Sequence, residues 1–213
     1  MKKIILMLSL FCFSMLYAEY HATISKITPG TKTRMIEGKS WHKGCPVPLK
    51  DLRYIRLKHH NFYRGEKMGE LIVHKDVANE VVEIFKALYD KGYPIRKMQL
   101  ISDFKGSDWR SIEADNTSAF NCRKTSTKTG KWSKHAYGKA IDINPIENPF
   151  VFKNGRTAHT RSYPYKKRVH KSSAWTDKAI LLKEDETVKI FEKYGWKWGG
   201  EFSPYKDYQH FSK

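Results

Sequence analysis

His135, Asp142 and His210 set the tightest constraint on how this 213-residue chain folds. Two imidazoles and a carboxylate are the donors of a three-ligand zinc site whose fourth position stays open to water. His135 and Asp142 are seven positions apart. On a helix that spacing holds two side chains about 10 Å apart, too far to share an ion, and it is natural for a loop running into a strand. Gly138 permits a tight approach between them, and Ala140 leaves room beside an ion. His210 must return from a distant segment to complete the set. Asp207, three positions before it, adds a second carboxylate placed to take a proton from water. The pattern reads as a metal-dependent hydrolase.

Length and composition bound the rest. A chain of this length buries one substantial core and is short for two. With 40% hydrophobic and 14% aromatic residues it is expected to fold. Residues 1–18 read as a secretory signal peptide: Lys2 and Lys3 give the positive start, Ile4 to Tyr17 the apolar run, and Ala18 the small residue at the cleavage point. An apolar run of about 14 residues is short against the roughly 20 that span a bilayer, so no stable membrane anchor is expected after cleavage. The expected location is exported, in a bacterial periplasm. Cys12 would leave with the signal, and Phe11 before it is not the small residue of a lipidation site. Cys45 and Cys122 remain. They either close a disulfide or stay as two buried thiols, and no CxxC spacing points to a cysteine metal site.

The formal charge of +18 is spread along the chain, with denser runs at 124–134 and 156–171. Such a surface is drawn to polyanions. No helix-turn-helix, zinc-finger or RNP pattern accompanies it, so nucleic acid is not the expected partner. An anionic cell-wall polymer or outer-membrane surface suits an exported protein better, and solubility alone is the plainer reading.

Apolar periodicity outlines the elements. Residues 19–44 are polar and read as an N-terminal arm ahead of a domain over 45–213. Alternating apolar and basic residues over 52–57 predict a strand, and 71–74 a second. Val77, Val81, Ile84 and Leu88 recur at helical spacing, widened by Val82, Phe85 and Tyr89, and Gly92 and Pro94 end that helix. Strands are expected over 98–102 and 140–143, and a second helix over roughly 185–194. Glu184, Asp185 and Glu186 then supply negative charge at its N-terminus. Helices beside short strands predict an α+β domain.

The residues around the ligands carry a resemblance. Ser-x-His-x-x-Gly-x-Ala-x-Asp at 133–142 is followed by Asn144-Pro145 and Asn148-Pro149, then Gly195-Trp196-x-Trp198-Gly199-Gly200 and Asp207-x-x-His210. With Asp115-Asn116-Thr117-Ser118-Ala119-Phe120-Asn121-Cys122-Arg123, these resemble the zinc D-alanyl-D-alanine carboxypeptidase family over roughly residues 45–213. That family groups peptidoglycan peptidases with vancomycin-resistance dipeptidases, phage endolysin peptidases and the hedgehog domain. The resemblance implies one antiparallel sheet flanked by helices, one zinc on His135, Asp142 and His210, and Asp207 as general base. It implies that Arg123 steadies the oxyanion and contacts substrate, and that Ser133 binds substrate polar groups. A local turn hydrogen bond is the plainer role for Ser133.

The implied activity is hydrolysis of D-Ala-D-Ala, and of D-Ala-meso-diaminopimelate cross-links, in peptidoglycan stem peptides. Vancomycin dipeptidases carry glutamate at the base position. The aspartate here is similar to the endolysin branch, which keeps L-alanyl-D-glutamate cleavage as the alternative. A non-catalytic peptidoglycan-binding module is the reading from another class. His159 and His170, in the basic 156–171 loop, are expected to be loop residues. His42, His59, His60 and His74 are expected at the surface or as caps, and Trp196 and Trp198 either in the core or lining the cleft.

Overall fold

A computed structural model describes residues 19–125, 130–172 and 174–213. The expected signal peptide, Cys12 included, lies outside them. The described part begins with β1 (Ala22–Lys26) and α1 (Pro29–Glu37), so the segment read as a polar arm forms regular structure. Thr28 caps α1 by accepting from the Thr31 N–H, and Pro29 opens it. Met35 is the one buried residue of α1 and packs with Val47, Leu52, Ile72 and Phe120. A stripe one residue wide leaves little periodicity to read.

β2 (Leu52–His60) pairs antiparallel with β1 on one side and with β3 (Glu66–His74) on the other. Leu52, Ile55 and Leu57 of β2 are fully buried. β3 extends well upstream of the expected 71–74 because Glu66, Lys67 and Met68 are exposed and show no apolar alternation. α2 (Ala78–Asp90) buries Val81, Ile84, Phe85 and Leu88 in the main core, and Gly92, at φ +64, turns the chain away from it.

The strand expected over 98–102 is shorter and lies earlier. β4 (Lys97–Met98) is followed by a 3-10 turn over Ile101–Phe104. α3 (Asp108–Glu113), capped by Ser107, leads to β5 (Asn116–Thr117), which runs parallel to β4. Gln99 takes no ladder position: its N–H and C=O bond the Asn116 side chain instead.

The C-terminal half builds the site. Its elements are β6 (Ala140–Asp142), β7 (Phe150–Val151), α4 (Glu186–Lys193), β8 (Lys197–Trp198), β9 (Lys206–Asp207) and β10 (His210–Ser212). β10 lies between β6 and β8, antiparallel to both, and β7 pairs antiparallel with β9. α4 buries Val188 and Phe191, and Phe191 stacks on Phe211 of β10 at 3.9 Å. Trp196 and Trp198 are core residues, their indole N–H groups donating to Glu80 and to the Tyr208 carbonyl. The architecture is α+β. Among the described residues no helix is long and apolar enough to cross a membrane.

Candidate metal centre

Pairing of β6 with β10 sets His210 opposite Asp142. Residues directly opposite in an antiparallel pair project to the same face, so the register alone brings the two side chains together. Ser118 holds the other edge of Asp142 through two backbone hydrogen bonds of 2.8 and 2.9 Å. The end of β6 is thus fixed from both sides.

His135 arrives on a 3-10 turn over Lys134–Tyr137. Ser133 caps this turn by accepting from the His135 N–H at 3.3 Å, so its hydroxyl is engaged locally. Gly138 closes the turn at φ +66, and a Cβ there would lie 2.6 Å from the His74 nitrogen. Only glycine permits both that conformation and that approach. The His135 Nδ1 lies 2.6 Å from the Ala119 carbonyl oxygen. A carbonyl only accepts, so Nδ1 carries the proton and Nε2 is left with a free lone pair, as a metal ligand requires.

The donor atoms converge. His135 Nε2 lies 3.2 Å from Asp142 Oδ2 and 3.3 Å from His210 Nδ1, and His210 Nδ1 lies 3.0 Å from Asp142 Oδ1. A tetrahedral ion bonded at 2.0–2.1 Å separates its ligand atoms by about 3.3 Å. The three side chains therefore fit such a cation in number, donor type and spacing. Burial pushes the Asp142 carboxyl up, but in the metal-free site, with His135 also protonated on Nε2, the charge of His135 and hydrogen bonds from both histidines outweigh it and hold the group far below the ordinary carboxylate range. An anionic ligand is ready at neutral pH.

Asp207 sits on β9, three positions before His210 and half-buried. Gly199 backs it closely: a Cβ at Gly199 would lie 2.4 Å from the Asp207 carbonyl oxygen. Burial, with the nearby Asp142 charge, raises its carboxyl to about 6 against the pull of His210. Gln209 donates to it at 3.2 Å. A carboxylate of raised basicity beside the ligands is equipped to accept a proton.

Arg123 lies close enough for its charge to be felt at His135, and its guanidinium is ion-paired through Nε to Asp108. Asp108 also accepts from Asn121 Nδ2 at 2.7 Å. The first turn of α3 thus holds the arginine. Sequence reasoning missed Asp108, and the only signal was an acidic residue just after the helix cap at Ser107. Cys122, next to Arg123, is disulfide-bonded to Cys45, with Cα atoms 5.8 Å apart. His42 approaches both sulfurs, forming a second group at ligand spacing, but the bonded cysteines offer no thiolates.

The remaining histidines stay apart from the centre. His159 bonds Glu113 at 2.5 Å and packs on Trp109, His170 bonds Asp185 and the Asp177 carbonyl, and His74 caps the turn after β3. His59, expected at the surface or as a cap, is 4% exposed. It lies within β2, opposite Lys67, and its Nδ1 meets the His60 carbonyl at 3.0 Å.

A family model described as D-alanyl-D-alanine carboxypeptidase matches residues 126–213. No curated protein and no solved structure matches the chain. The matched stretch contains His135, Asp142, Asp207 and His210 and ends short of Arg123 and Cys122. The part of the chain that supplies the whole ligand set is thus similar to the D-alanyl-D-alanine carboxypeptidase family.

Proposed function

We propose that this chain is an exported, zinc-dependent peptidoglycan peptidase that hydrolyses D-Ala-D-Ala, and D-Ala-meso-diaminopimelate cross-links, in cell-wall stem peptides. The carrying observation is the convergence of His135, Asp142 and His210 beside the raised carboxyl of Asp207, all within the matched residues. Zinc held by these three ligands supplies Lewis acidity, polarising a scissile carbonyl and lowering the pKa of water toward about 7. The chain's own groups do the rest. Asp207 takes the proton of the attacking water and hands it to the leaving amine. Arg123, tethered by Asp108, faces the negative charge that develops on the carbonyl oxygen. Ser133 and the Ala119 carbonyl keep the His135 ring in place.

The signal-like residues 1–18 support export to a periplasm, and the formal charge of +18, or +16 once Lys2 and Lys3 leave with the signal, supports adhesion to an anionic wall. Aspartate rather than glutamate at position 207 favours L-alanyl-D-glutamate cleavage as the second reading. Digestion of purified muropeptides by the zinc-loaded protein, followed by mass analysis, tests both. Loss of one alanine from pentapeptides, abolished by chelation, is the expected result. Binding without any cleavage product would identify a non-catalytic peptidoglycan-binding module.

A further inference from the structure

The pairing of β7 with β9 sets Phe150 opposite Asp207 and Val151 opposite Lys206. Opposite residues share a face and successive residues alternate, so Phe150 projects beside the candidate base, with Tyr205 and Phe152 two positions along on the same side. The rings meet accordingly. Phe150 stacks on Tyr205 at 5.1 Å and meets Phe152 edge-on at 5.0 Å. Phe202 continues the row, 6.0 Å from Tyr205 and 6.0 Å from the His210 ring. An aromatic strip thus runs outward from a ligand and from the base.

The strip is not core. None of its four rings belongs to either apolar cluster, and two of them are open to solvent, Phe152 at 48% and Tyr205 at 39% exposure. Contiguous exposed aromatic surface marks a binding face. Phe152, Lys153 and Asn154 line a shallow pocket at its far end, which adds hydrogen-bond donors to an apolar platform.

The chemistry of the occupant follows from the peptidoglycan reading, on which this inference rests. A stem peptide offers methyl groups, carboxylates and amines but no flat ring. The flat apolar surface of such a substrate is the C–H face of its pyranose sugars, whose hydroxyl and acetamido groups suit Lys153 and Asn154. Distance agrees: four extended residues between sugar and scissile bond span at most about 14 Å. Phe150 stands directly opposite Asp207 across the ladder, about 5 Å away, and Phe152 is one ring step of 5.0 Å beyond it, so the exposed end of the strip lies within that reach of the base. We infer that Tyr205, Phe150 and Phe152 form a carbohydrate subsite that takes the N-acetylated sugar carrying the stem peptide.

The test compares zinc-loaded wild type with the double variant Phe152→Ser/Tyr205→Ser on two substrates, a free pentapeptide and the same peptide on its disaccharide. Wild type should show a lower KM for the disaccharide form. The double variant should raise that KM about tenfold, with kcat and the free-peptide reaction unchanged and zinc retained. Equal loss on both substrates, or an unchanged preference, would overturn the subsite. Titration of the peptide-free disaccharide by NMR separates this inference from the peptidase reading. Saturable binding that the double variant loses supports the subsite even if neither peptide is cut. Absence of saccharide binding overturns it, and binding of the strip to anionic phospholipid vesicles instead would assign the face to a membrane surface.

Discussion

Asp142 and His210 stand opposite one another across β6 and β10, with the His210 Nδ1 3.0 Å from Asp142 Oδ1. They are 68 positions apart in the chain, so the contact is a product of strand register rather than of local sequence. A slip of one residue would send His210 to the opposite face and dismantle the ligand set. The core stacking of Phe211 on Phe191, one position further along β10, holds that register because the same slip would expose Phe211.

The base is the next group to test. Asp207→Asn should leave zinc bound, since Asp207 is not one of the three converging donors. Turnover should fall by roughly 100- to 10,000-fold with the positioned proton acceptor gone. Single-turnover assays on pentapeptide, with metal content measured on the same samples, check this. Near-normal turnover would assign the proton to another carboxylate.

Arg123 and Asp108 should act as a unit. Arg123→Ala is expected to lower kcat by roughly 100- to 1,000-fold, the scale of one oxyanion donor. Lysine should restore only part, because a point charge lacks the planar fork. Asp108→Ala should give a smaller loss of kcat, and the double variant should be no worse than Arg123→Ala alone if Asp108 works through the arginine. Additive losses would show that Asp108 has a separate role.

What was legible in the sequence is short in range. The α2 stripe and the 133–142 spacing are written into neighbouring residues. α1 was not legible because it buries only Met35, and 98–102 misled because its apolar residues sit in a short β4 and a 3-10 turn. Asp108 could not be found because its importance lies in contacts with Arg123 and Asn121, 15 and 13 positions away. The aromatic face of β7 and β9 was equally hidden. Two-residue strands carry no alternation until their partner is known.

Glu147 also went unread. It is 2% exposed, and burial, with the charge and hydrogen bond of Asp115, raises its carboxyl to about 9. The folded state then keeps a proton that the unfolded chain releases near 4.5. Stability from this group is complete below that value and is lost as pH rises toward about 9. Thermal unfolding should show Glu147→Gln gaining on wild type from pH 5 to pH 9. A gap constant across that range would mean Glu147 is ionised in the folded protein.

The Cys45–Cys122 bridge closes a separation of 77 residues. On the chain-entropy model its removal costs roughly 4 kcal/mol. Cys45→Ser/Cys122→Ser should unfold at correspondingly lower denaturant, and alkylation of denatured, unreduced wild type should label neither cysteine. Two labelled thiols would remove the bridge from the account.

The central claim is that His135, Asp142 and His210 form one metal site. Elemental analysis of the purified, dialysed protein measures it directly, with His135→Ala and His210→Ala prepared alongside. Wild type should carry one zinc per chain and neither variant should retain any, with both variants folded. Full zinc occupancy in a folded His135→Ala or His210→Ala variant would contradict it.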